Sequence, residues 1–236
     1  MLQGKLTLIP TPISEDYMLH PEAVLSLRNA FDQKEIILVE DHKIARRRWL
    51  KWGLPREAIE TFELYNEHNQ KSSIPQIIES LKKGRNVYLM SDCGIPAFCD
   101  PGEALVDACH QAKIIITSTP FDNSIVLALA LSGYNSKQFF FAGFVPKKNP
   151  EKSQFYAALK NSQLTTLFMD TPYHLEGVLK EIAEIMPSHE IFLGLDLCSS
   201  NQVLFRGKVQ AALKMFEGHK AEFIAIVPAL KKFGAT

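Results

Sequence analysis

The segment 91–102, with the sequence SDCGIPAFCDPG, holds the densest set of residues in the chain that could bind a ligand. It follows the apolar run VYLM (87–90), so its carboxylates, hydroxyl and glycines begin where a strand is expected to end. In open α/β sheets, ligands bind beyond the carboxyl ends of the strands. Three other segments follow an apolar run in the same way: IPTPI (9–13), VEDHK (39–43) and MDTPYH (169–174). Each also fits an ordinary strand-to-helix turn, because turns and helix caps prefer the same residue types.

The cysteines and histidines lack the spacing of a metal or redox site. The chain has four cysteines, at positions 93, 99, 109 and 198, and none forms a C-x-x-C pair. The seven histidines show no ligand spacing such as H-x-x-x-H. We therefore predict no metal ion and, without a secretion signal, thiols instead of disulfides.

Phosphate-binding and hydrolytic sites are also disfavoured. The sequence contains neither G-x-G-x-x-G nor G-x-x-x-x-G-K-[ST], and Pro96 and Pro101 lack the backbone N–H groups that a phosphate-binding loop would use. A G-x-S-x-G nucleophile turn is missing too. The pyrophosphate of a nucleotide cofactor therefore has no evident binding site.

The second half of the segment 91–102 fits a helix cap, whereas the first half fits a ligand-binding site. Asp100, Pro101 and Glu103 stand where a capping box would place an N-cap acceptor, a first-turn proline and a glutamate three residues after the cap. The first half, 91–96, has no such structural use, and its Gly94 would let a ligand approach the backbone closely. We expect the first half to carry the function.

Residues 42–53, HKIARRRWLKWG, combine basic side chains with two tryptophans. Helical spacing places Lys43, Arg47 and Lys51 on one face, the basic ridge, and places Ala45 with both tryptophans on the opposite face. The basic ridge is either a solvated surface above a core contact or a surface that contacts RNA phosphates. His68, in NEHNQ (66–70), also follows a predicted strand on the presumed ligand side.

The overall charge gives no general attraction to nucleic acid. Lys and Arg number 26, as do Asp and Glu, so any contact with RNA must come from a local patch. The N-terminal residues MLQGKLTLIPTPI do not resemble a signal peptide, and the longest apolar stretch, 125–131, is far shorter than the ~20 residues that span a bilayer. We expect a soluble, cytoplasmic protein.

Apolar runs alternate with amphipathic segments along the chain, which predicts an α/β fold. Strands are predicted at 5–9, 35–39, 59–64, 86–90, 114–117, 139–144, 165–169, 190–196 and 222–228. Helices are predicted at 20–32, 43–52, 72–83, 103–112, 123–132, 151–161, 175–186 and 208–216. The strand runs IILV and VYLM are continuous, as expected for parallel strands covered on both faces.

The pattern restarts after TSTPFDNS (117–124), so we predict two α/β lobes, 1–118 and 119–236. No Gly/Ser-rich linker separates them, and no internal repeat of fixed period is visible.

The segments that follow the strands, taken in order, resemble the tetrapyrrole methylase superfamily of S-adenosylmethionine-dependent methyltransferases. Within it, the chain is most similar to the branch that methylates the ribose 2′-hydroxyl of a cytidine in small-subunit ribosomal RNA. The matching residues run along nearly the whole chain: Pro10-Thr11-Pro12-Ile13, Glu40-Asp41, His68-Asn69, Ser91-Asp92-x-Gly94-x-Pro96, Asp100-Pro101-Gly102, Gly143-Phe144-x-Pro146, Thr171-Pro172 and Glu222. The enzymes that act on tetrapyrroles have a glycine-rich first loop, where this chain has Pro10-Thr11-Pro12, and this difference favours the RNA branch.

The resemblance implies a homodimer of two-lobed chains, with S-adenosylmethionine held in a cleft between the lobes. This ligand has no phosphate, which agrees with the lack of a phosphate-binding loop. The residues that the resemblance assigns to the cofactor are Pro12, Asp92, Gly94, Ile95, Pro96, Ser124, Asp170 and Thr171. The resemblance places Glu40, Asp41, His68 and Asn69 nearer the methyl acceptor. Arg47 of the basic ridge is a candidate RNA contact. The resemblance names no catalytic base.

The chain departs from the pattern of that branch at several positions. Cys93 and Ile95 replace Ala and Thr, Asp170 replaces a glutamate, and His174 replaces an arginine. The segment LDLCS (195–199) stands in place of Arg-Glu-Leu-Thr-Lys and lacks both basic residues. We expect cofactor binding to tolerate these changes better than recognition of the original RNA.

Three hypotheses follow from this pattern. The first is a methyltransferase that acts on the ribose of ribosomal RNA, or on a diverged acceptor, by alignment of the reacting groups and removal of the acceptor proton. The second is a catalytically silent module that binds RNA or the small ribosomal subunit. The third is a methyltransferase for small molecules of the tetrapyrrole or corrin type.

Overall fold

A computed structural model describes residues 3–229. The chain divides into two compact units, Met1–Asn123 and Ser124–Thr236. The division lies after Asn123, beyond the end of strand β5 (Ile115–Ser118).

The first unit is a five-stranded parallel sheet with helices on its two faces. Its other strands are β1 (Lys5–Ile9), β2 (Ile36–Val39), β3 (Glu63–Leu64) and β4 (Val87–Met90), and the strand order is β3-β2-β4-β1-β5. Its helices are α1 (Pro21–Asp32), α2 (His42–Lys51), α3 (Gln70–Lys82) and α4 (Glu103–Gln111). Strands β1 and β4 are neighbours, with Ile9 opposite Met90, so the segments that follow them leave the sheet side by side.

The continuous apolar runs of β2 and β4 are explained by burial on both faces, as predicted. In β2, Ile37 and Val39 pack into one apolar cluster with Trp49 of α2, whereas Ile36 and Leu38 pack into a second cluster on the other face. The residues of β4 alternate in the same way. Each residue of these strands is removed from water, which is the main stabilising term of the sheet.

The second unit is a five-stranded mixed sheet. Its strands are β6 (Phe139–Phe144), β7 (Thr165–Asp170), β8 (Glu190–Leu195), β9 (Val203–Lys208) and β10 (Phe223–Val227), in the order β6-β7-β10-β8-β9. Strands β6 and β7 are parallel and the other three pairings are antiparallel. The helices are α5 (Ser124–Ser132), α6 (Glu151–Asn161), α7 (Leu175–Ile185) and α8 (Val209–Met215). Strand β10 lies between β7 and β8 and is buried along its whole length.

One predicted element was wrong and one strand was missed. The strand predicted at 59–64 is a 3₁₀ helix at Arg56–Thr61 followed by the two residues of β3. Its apolar residues Ile59 and Phe62 are three positions apart, which is the repeat of a 3₁₀ helix, and Phe62 is buried whereas Leu64 is exposed. Strand β9 was missed, because it alternates half-buried and exposed residues at an edge of the sheet and carries Arg206 and Lys208.

No helix within residues 3–229 combines the length and the apolar character needed to cross a bilayer.

Candidate functional site

The segments after β1 and β4 are tied together by backbone hydrogen bonds. The Thr11 N–H donates to the Gly94 carbonyl at 2.8 Å, and the Gly94 N–H donates back to the Thr11 carbonyl at 3.1 Å. The Ser91 hydroxyl also donates to the Gly94 carbonyl at 2.7 Å. Two of the four segments singled out from the sequence therefore form one wall at the carboxyl edge of the sheet, which we call the Thr11–Gly94 wall.

Gly94 adopts a backbone conformation that favours glycine, and it leaves open space beside it. Its φ of +82° lies in the left-handed region, and a Cβ placed there would meet no atom within 4 Å. The backbone of the Thr11–Gly94 wall is therefore accessible to a ligand. The sequence analysis expects a ligand to approach the backbone closely at Gly94, and the open space there leaves room for it.

Arg48 of α2 supports the Thr11–Gly94 wall from behind. Its side chain is buried, with 8 % of the residue exposed, and Nη1 donates to the Pro12 carbonyl at 2.9 Å and to Thr11 Oγ1 at 3.3 Å. The charge of Arg48 also lowers the pKa of Asp92, although burial and neighbouring carboxylates outweigh this effect. One buried cation thus positions the first loop and partly offsets the charge of the carboxylate on the second.

We predict that Arg48→Met lowers the free energy of unfolding by about 2–4 kcal/mol, because it leaves the Pro12 carbonyl without its donor and removes a buried charge beside Asp92. The adjacent variant Arg47→Met is the matched control. Arg47 forms an ion pair with Glu15 on the surface, with 63 % of its side chain exposed, so we expect a loss below about 1 kcal/mol. Urea unfolding measures both, and equal losses would contradict the assigned role of Arg48.

A wide, acidic pocket of about 660 Å³ opens beside the carboxyl ends of β2 and β4. Its lining includes Glu40, Asp41, Asn66, Glu67, His68, Gln70, Asp92, Cys99, Asp100 and Glu103. Asp41 also caps α2, since its Oδ1 accepts from the N–H groups of Lys43 and Ile44 at 2.7 and 2.9 Å. The strand ends and the α2 cap thus hold several carboxylates around one space.

Three of these carboxylates are held in an environment that disfavours their charge. Burial, and then the charge of Glu40, raises the pKa of Asp92 to about 6. Burial, followed by the charges of Glu40 and Asp92, raises the pKa of Asp100 to about 7. Burial also raises the pKa of Glu40, against the effect of the Asp92 backbone N–H. A cationic or hydrogen-donating ligand would relieve this repulsion, whereas a phosphate would add to it.

Asp92 carries an oxygen that is suited to such a ligand. Its Oδ1 atom is buried and has no hydrogen-bond partner within residues 3–229. A buried acceptor without a donor is costly, so a ligand that supplies an N–H or O–H group there would gain free energy. The amino group and ribose hydroxyls of S-adenosylmethionine are donors of this kind, and its sulfonium is a cation. The acidic pocket and the open space beside Gly94 therefore fit this compound.

The capping box predicted at Asp100–Glu103 was wrong. Helix α4 begins at Glu103 with Gly102 as its N-cap, and no side chain caps it. Gly102 has a φ of +140°, and a Cβ there would lie 2.9 Å from Leu89 Cδ2, so the chain turns sharply where the capping box needed Asp100 to lead into the helix. Asp100 instead lines the acidic pocket.

We predict that Asp100→Asn raises the free energy of unfolding at pH 8 by about 1–2 kcal/mol and has little effect at pH 5. Because the native pKa of about 7 lies above that of the unfolded chain, the native state binds more protons between roughly pH 4 and 7, and wild-type stability falls as pH rises through this range. Urea unfolding at both pH values tests this, with Asp32→Asn at the exposed end of α1 as the control. The same pH dependence in both variants would contradict the account.

In the second unit, the carboxyl end of β7 carries Asp170 and Thr171. The side chain of Asp170 is only 6 % exposed, and its Oδ1 accepts from the Thr171 N–H at 2.7 Å and contacts His174 Nδ1 at 3.0 Å. Ser124 is the first residue of α5. Burial, and then the charge of Asp196, raises the pKa of Glu222, the residue before β10.

The structure brings together most of the residues predicted for the first unit. Pro12, Asp92, Gly94, Ile95 and Pro96 belong to the two linked segments. Glu40, Asp41 and His68 line the acidic pocket with Asp92.

Two residues that were predicted to contact the substrate, Asn69 and Arg47, do not line the acidic pocket. The Asn69 side chain stays within its own turn, where Oδ1 accepts from the Asn66 N–H and Nδ2 donates to the Leu64 carbonyl, both at 2.8 Å, and Asn66 lines the pocket instead. Arg47 lies on the exposed face of α2 and pairs with Glu15.

Arg48 and Asn66 were missed by the sequence interpretation. Arg48 lies two helical turns after Asp41, on the same face of α2. This spacing is the feature of the sequence from which the position of Arg48 near the site could have been predicted.

No group of three or more His, Cys, Asp or Glu residues in the described part of the chain has the geometry of a metal site, and this includes the acidic pocket.

Comparisons with known proteins agree with this architecture. Residues 24–213 match the family described as Tetrapyrrole (Corrin/Porphyrin) Methylases. Over 217 residues, the chain is 30 % identical to a protein of Thermotoga maritima named Ribosomal RNA small subunit methyltransferase I, covering 92 % of this chain and 94 % of that protein. A Bacillus subtilis protein of the same name is 30 % identical over 210 residues, which are 89 % of this chain and 69 % of the relative.

A solved structure supports the fold. The crystal structure of diphthine synthase superposes with a TM-score of 0.69 at 14 % sequence identity, covering 96 % of this chain and 90 % of that one. The family match over most of its length and the 30 % identity with the Thermotoga maritima protein identify the chain as a methyltransferase that belongs to the tetrapyrrole (corrin/porphyrin) methylase family.

Proposed function

We propose that the protein transfers a methyl group from S-adenosylmethionine to a ribose 2′-hydroxyl of small-subunit ribosomal RNA. The observation that carries this proposal is the 30 % identity with a ribosomal RNA small subunit methyltransferase I over 92 % of this chain and 94 % of the relative. An alignment of this extent includes most of both units.

S-adenosylmethionine, when bound, supplies a methyl group on a positively charged sulfonium. In the first unit, the residues proposed to hold it are Pro12, Asp92, Gly94, Ile95 and Pro96. Support comes from the unpartnered Oδ1 of Asp92 and the open space beside Gly94. In the second unit we assign Ser124, Asp170 and Thr171 to the same ligand. These residues contribute hydrogen bonds and orientation, which are the main contributions that a protein makes to methyl transfer.

The proposed acceptor residues are Glu40, Asp41 and His68, which line the acidic pocket, whereas Asn69 would act through the turn that places Asn66 there. The carboxylates around the acidic pocket repel phosphate, so we expect the uncharged nucleoside part of the RNA to face them. The RNA backbone would instead contact the basic ridge of α2, where Lys43, Arg47 and Lys51 are all exposed. This division of charge lets a protein with no net charge bind a polyanion.

We further propose that the active form is a homodimer and that it acts in the cytoplasm, where ribosomal subunits are available. Size-exclusion chromatography with light scattering tests the first statement. A monomer that transfers methyl groups at the full rate would contradict it.

The proposed activity is tested by incubating the protein with tritiated S-adenosylmethionine and small ribosomal subunits from cells that lack this gene. We expect label in the RNA of these subunits and none in wild-type subunits, whose site is already modified. Nuclease digestion should place the label in a 2′-O-methylated nucleoside. Transfer to a porphyrinoid and not to RNA, or RNA binding without transfer, would contradict the proposal.

A further inference from the structure

The turn after β7 contains an aspartate–histidine pair whose geometry fits proton transfer. Asp170 is the last residue of β7 and is fixed by pairing with Phe223 of β10. A short 3₁₀ helix, Pro172–His174, then turns the chain so that His174 faces back to Asp170. The Asp170 carboxylate is almost fully buried, whereas 47 % of the His174 side chain is exposed. One partner is thus rigid and the other accessible.

The hydrogen bonds determine which nitrogen of His174 carries the proton. His174 Nδ1 lies 3.0 Å from Asp170 Oδ1 and 3.2 Å from Thr171 Oγ1. A carboxylate only accepts hydrogen bonds, so Nδ1 is the protonated nitrogen of the neutral ring. Its other nitrogen, Nε2, then has a free lone pair. None of the hydrogen bonds or ion pairs described for residues 3–229 uses Nε2.

The charges around the ring favour a proton acceptor. Within the described part of the chain, Asp170 is the charged group in contact with His174, and its negative charge stabilises the imidazolium that forms when Nε2 accepts a proton. Lys220 lies over the ring of the preceding residue, Tyr173, at 5.3 Å from the ring centre. A buried carboxylate that orients the ring and stabilises its cation is the arrangement by which histidine bases are activated.

We propose that His174, oriented by Asp170, is the general base that removes the proton of the acceptor hydroxyl. This inference rests on the proposed function, in which Asp170 and Thr171 of the same turn contact the methyl donor. The hydroxyl oxygen forms a bond to the methyl carbon, and the carbon–sulfur bond breaks with its electron pair kept by sulfur, which becomes a neutral thioether. The hydroxyl proton passes to Nε2. The products are a methyl ether, S-adenosylhomocysteine and protonated His174.

The kinetic test compares His174→Gln with His110→Gln, a control on the exposed surface of α4. We expect His174→Gln to lower kcat by about 100-fold or more, with KM for S-adenosylmethionine changed less than about threefold. We expect the control to keep wild-type kinetics. Added imidazole should partly restore the activity of His174→Ala. Full activity of His174→Gln would overturn the assignment, and a rise in KM alone would overturn it in favour of a binding role.

A second measurement needs no turnover. Nitrogen-15 NMR of the ligand-free protein should find neutral His174 protonated at Nδ1, and Asp170→Asn should weaken this preference. Protonation at Nε2 in the wild type would overturn the inference whatever the kinetics. If the wild-type protein transfers no methyl group to any RNA, the proposed function fails and the base fails with it. If the wild type transfers methyl groups and His174→Gln does so equally well, only the base is wrong.

Discussion

The Asp92→Asn variant should bind S-adenosylmethionine at least about tenfold more weakly than the wild-type protein, although its fold is no less stable at pH 8. The buried Oδ1 of Asp92 has no partner within residues 3–229, so we expect it to accept a charge-assisted hydrogen bond from the ligand. Loss of such a bond costs roughly 1.5–3 kcal/mol, and each 1.4 kcal/mol is about tenfold in affinity. Isothermal titration calorimetry measures the change.

The expected stability of this variant follows from the raised pKa of about 6 for Asp92. At pH 8 the carboxylate is ionised in both the native and the unfolded chain, and its charge is less favourable in the native state because of burial and of Glu40. Asparagine removes that charge and keeps the shape of the side chain. Weaker binding by a protein of equal or greater stability therefore excludes misfolding as the cause. Wild-type affinity in Asp92→Asn would contradict the role of this residue.

The Gly94→Ala variant should lose at least about tenfold in affinity for S-adenosylmethionine and about 1–2 kcal/mol in stability. The stability loss reflects the left-handed φ of +82°, which is unfavourable for alanine, and no clash adds to it because the added methyl group meets no atom within 4 Å. The affinity loss has a different origin. The methyl group would occupy the open space of the Thr11–Gly94 wall where the ligand is proposed to approach the backbone.

Gly53→Ala separates these two effects. Gly53 follows helix α2, has a φ of +67°, and would also carry a Cβ with no atom within 4 Å. The backbone strain is therefore matched, but the position is outside the proposed ligand site. We expect a similar stability loss and wild-type affinity. Equal affinities of the two alanine variants would show that the space beside Gly94 is not used by the ligand.

The parallel sheet of the first unit could be predicted because strands β2 and β4 are continuous apolar runs in the sequence. Residues in β2 and β4 alternate between two apolar clusters, so both faces must be apolar and the pattern is unambiguous. The opposite faces of α2 were predicted for a similar reason, since Ala45, Trp49 and Trp52 are buried while the basic ridge is exposed. The edge strand β9 was not predicted, because an edge strand tolerates charged residues on its exposed side.

The candidate site was only partly predictable. Segments after β1 and β4 could be expected to meet, because parallel neighbours end at the same edge of a sheet. The roles of Asp100 and Arg48 depend on features that local sequence does not express. Asp100 follows a capping pattern, but the turn at Gly102 removes it from the helix start. Arg48 is one of several arginines in a basic helix, and only the fold distinguishes the buried one from the exposed ones.

We expect this chain to bind a methyl donor without a phosphate-binding loop. Calorimetric titration of the purified protein with S-adenosylhomocysteine, the product of the proposed reaction, tests it most directly, because binding needs no RNA and no turnover. We predict saturable binding in the micromolar range or tighter, weakened in Asp92→Asn and Gly94→Ala and unchanged in Gly53→Ala. No detectable binding of either S-adenosylhomocysteine or S-adenosylmethionine to the folded wild-type protein would contradict the account.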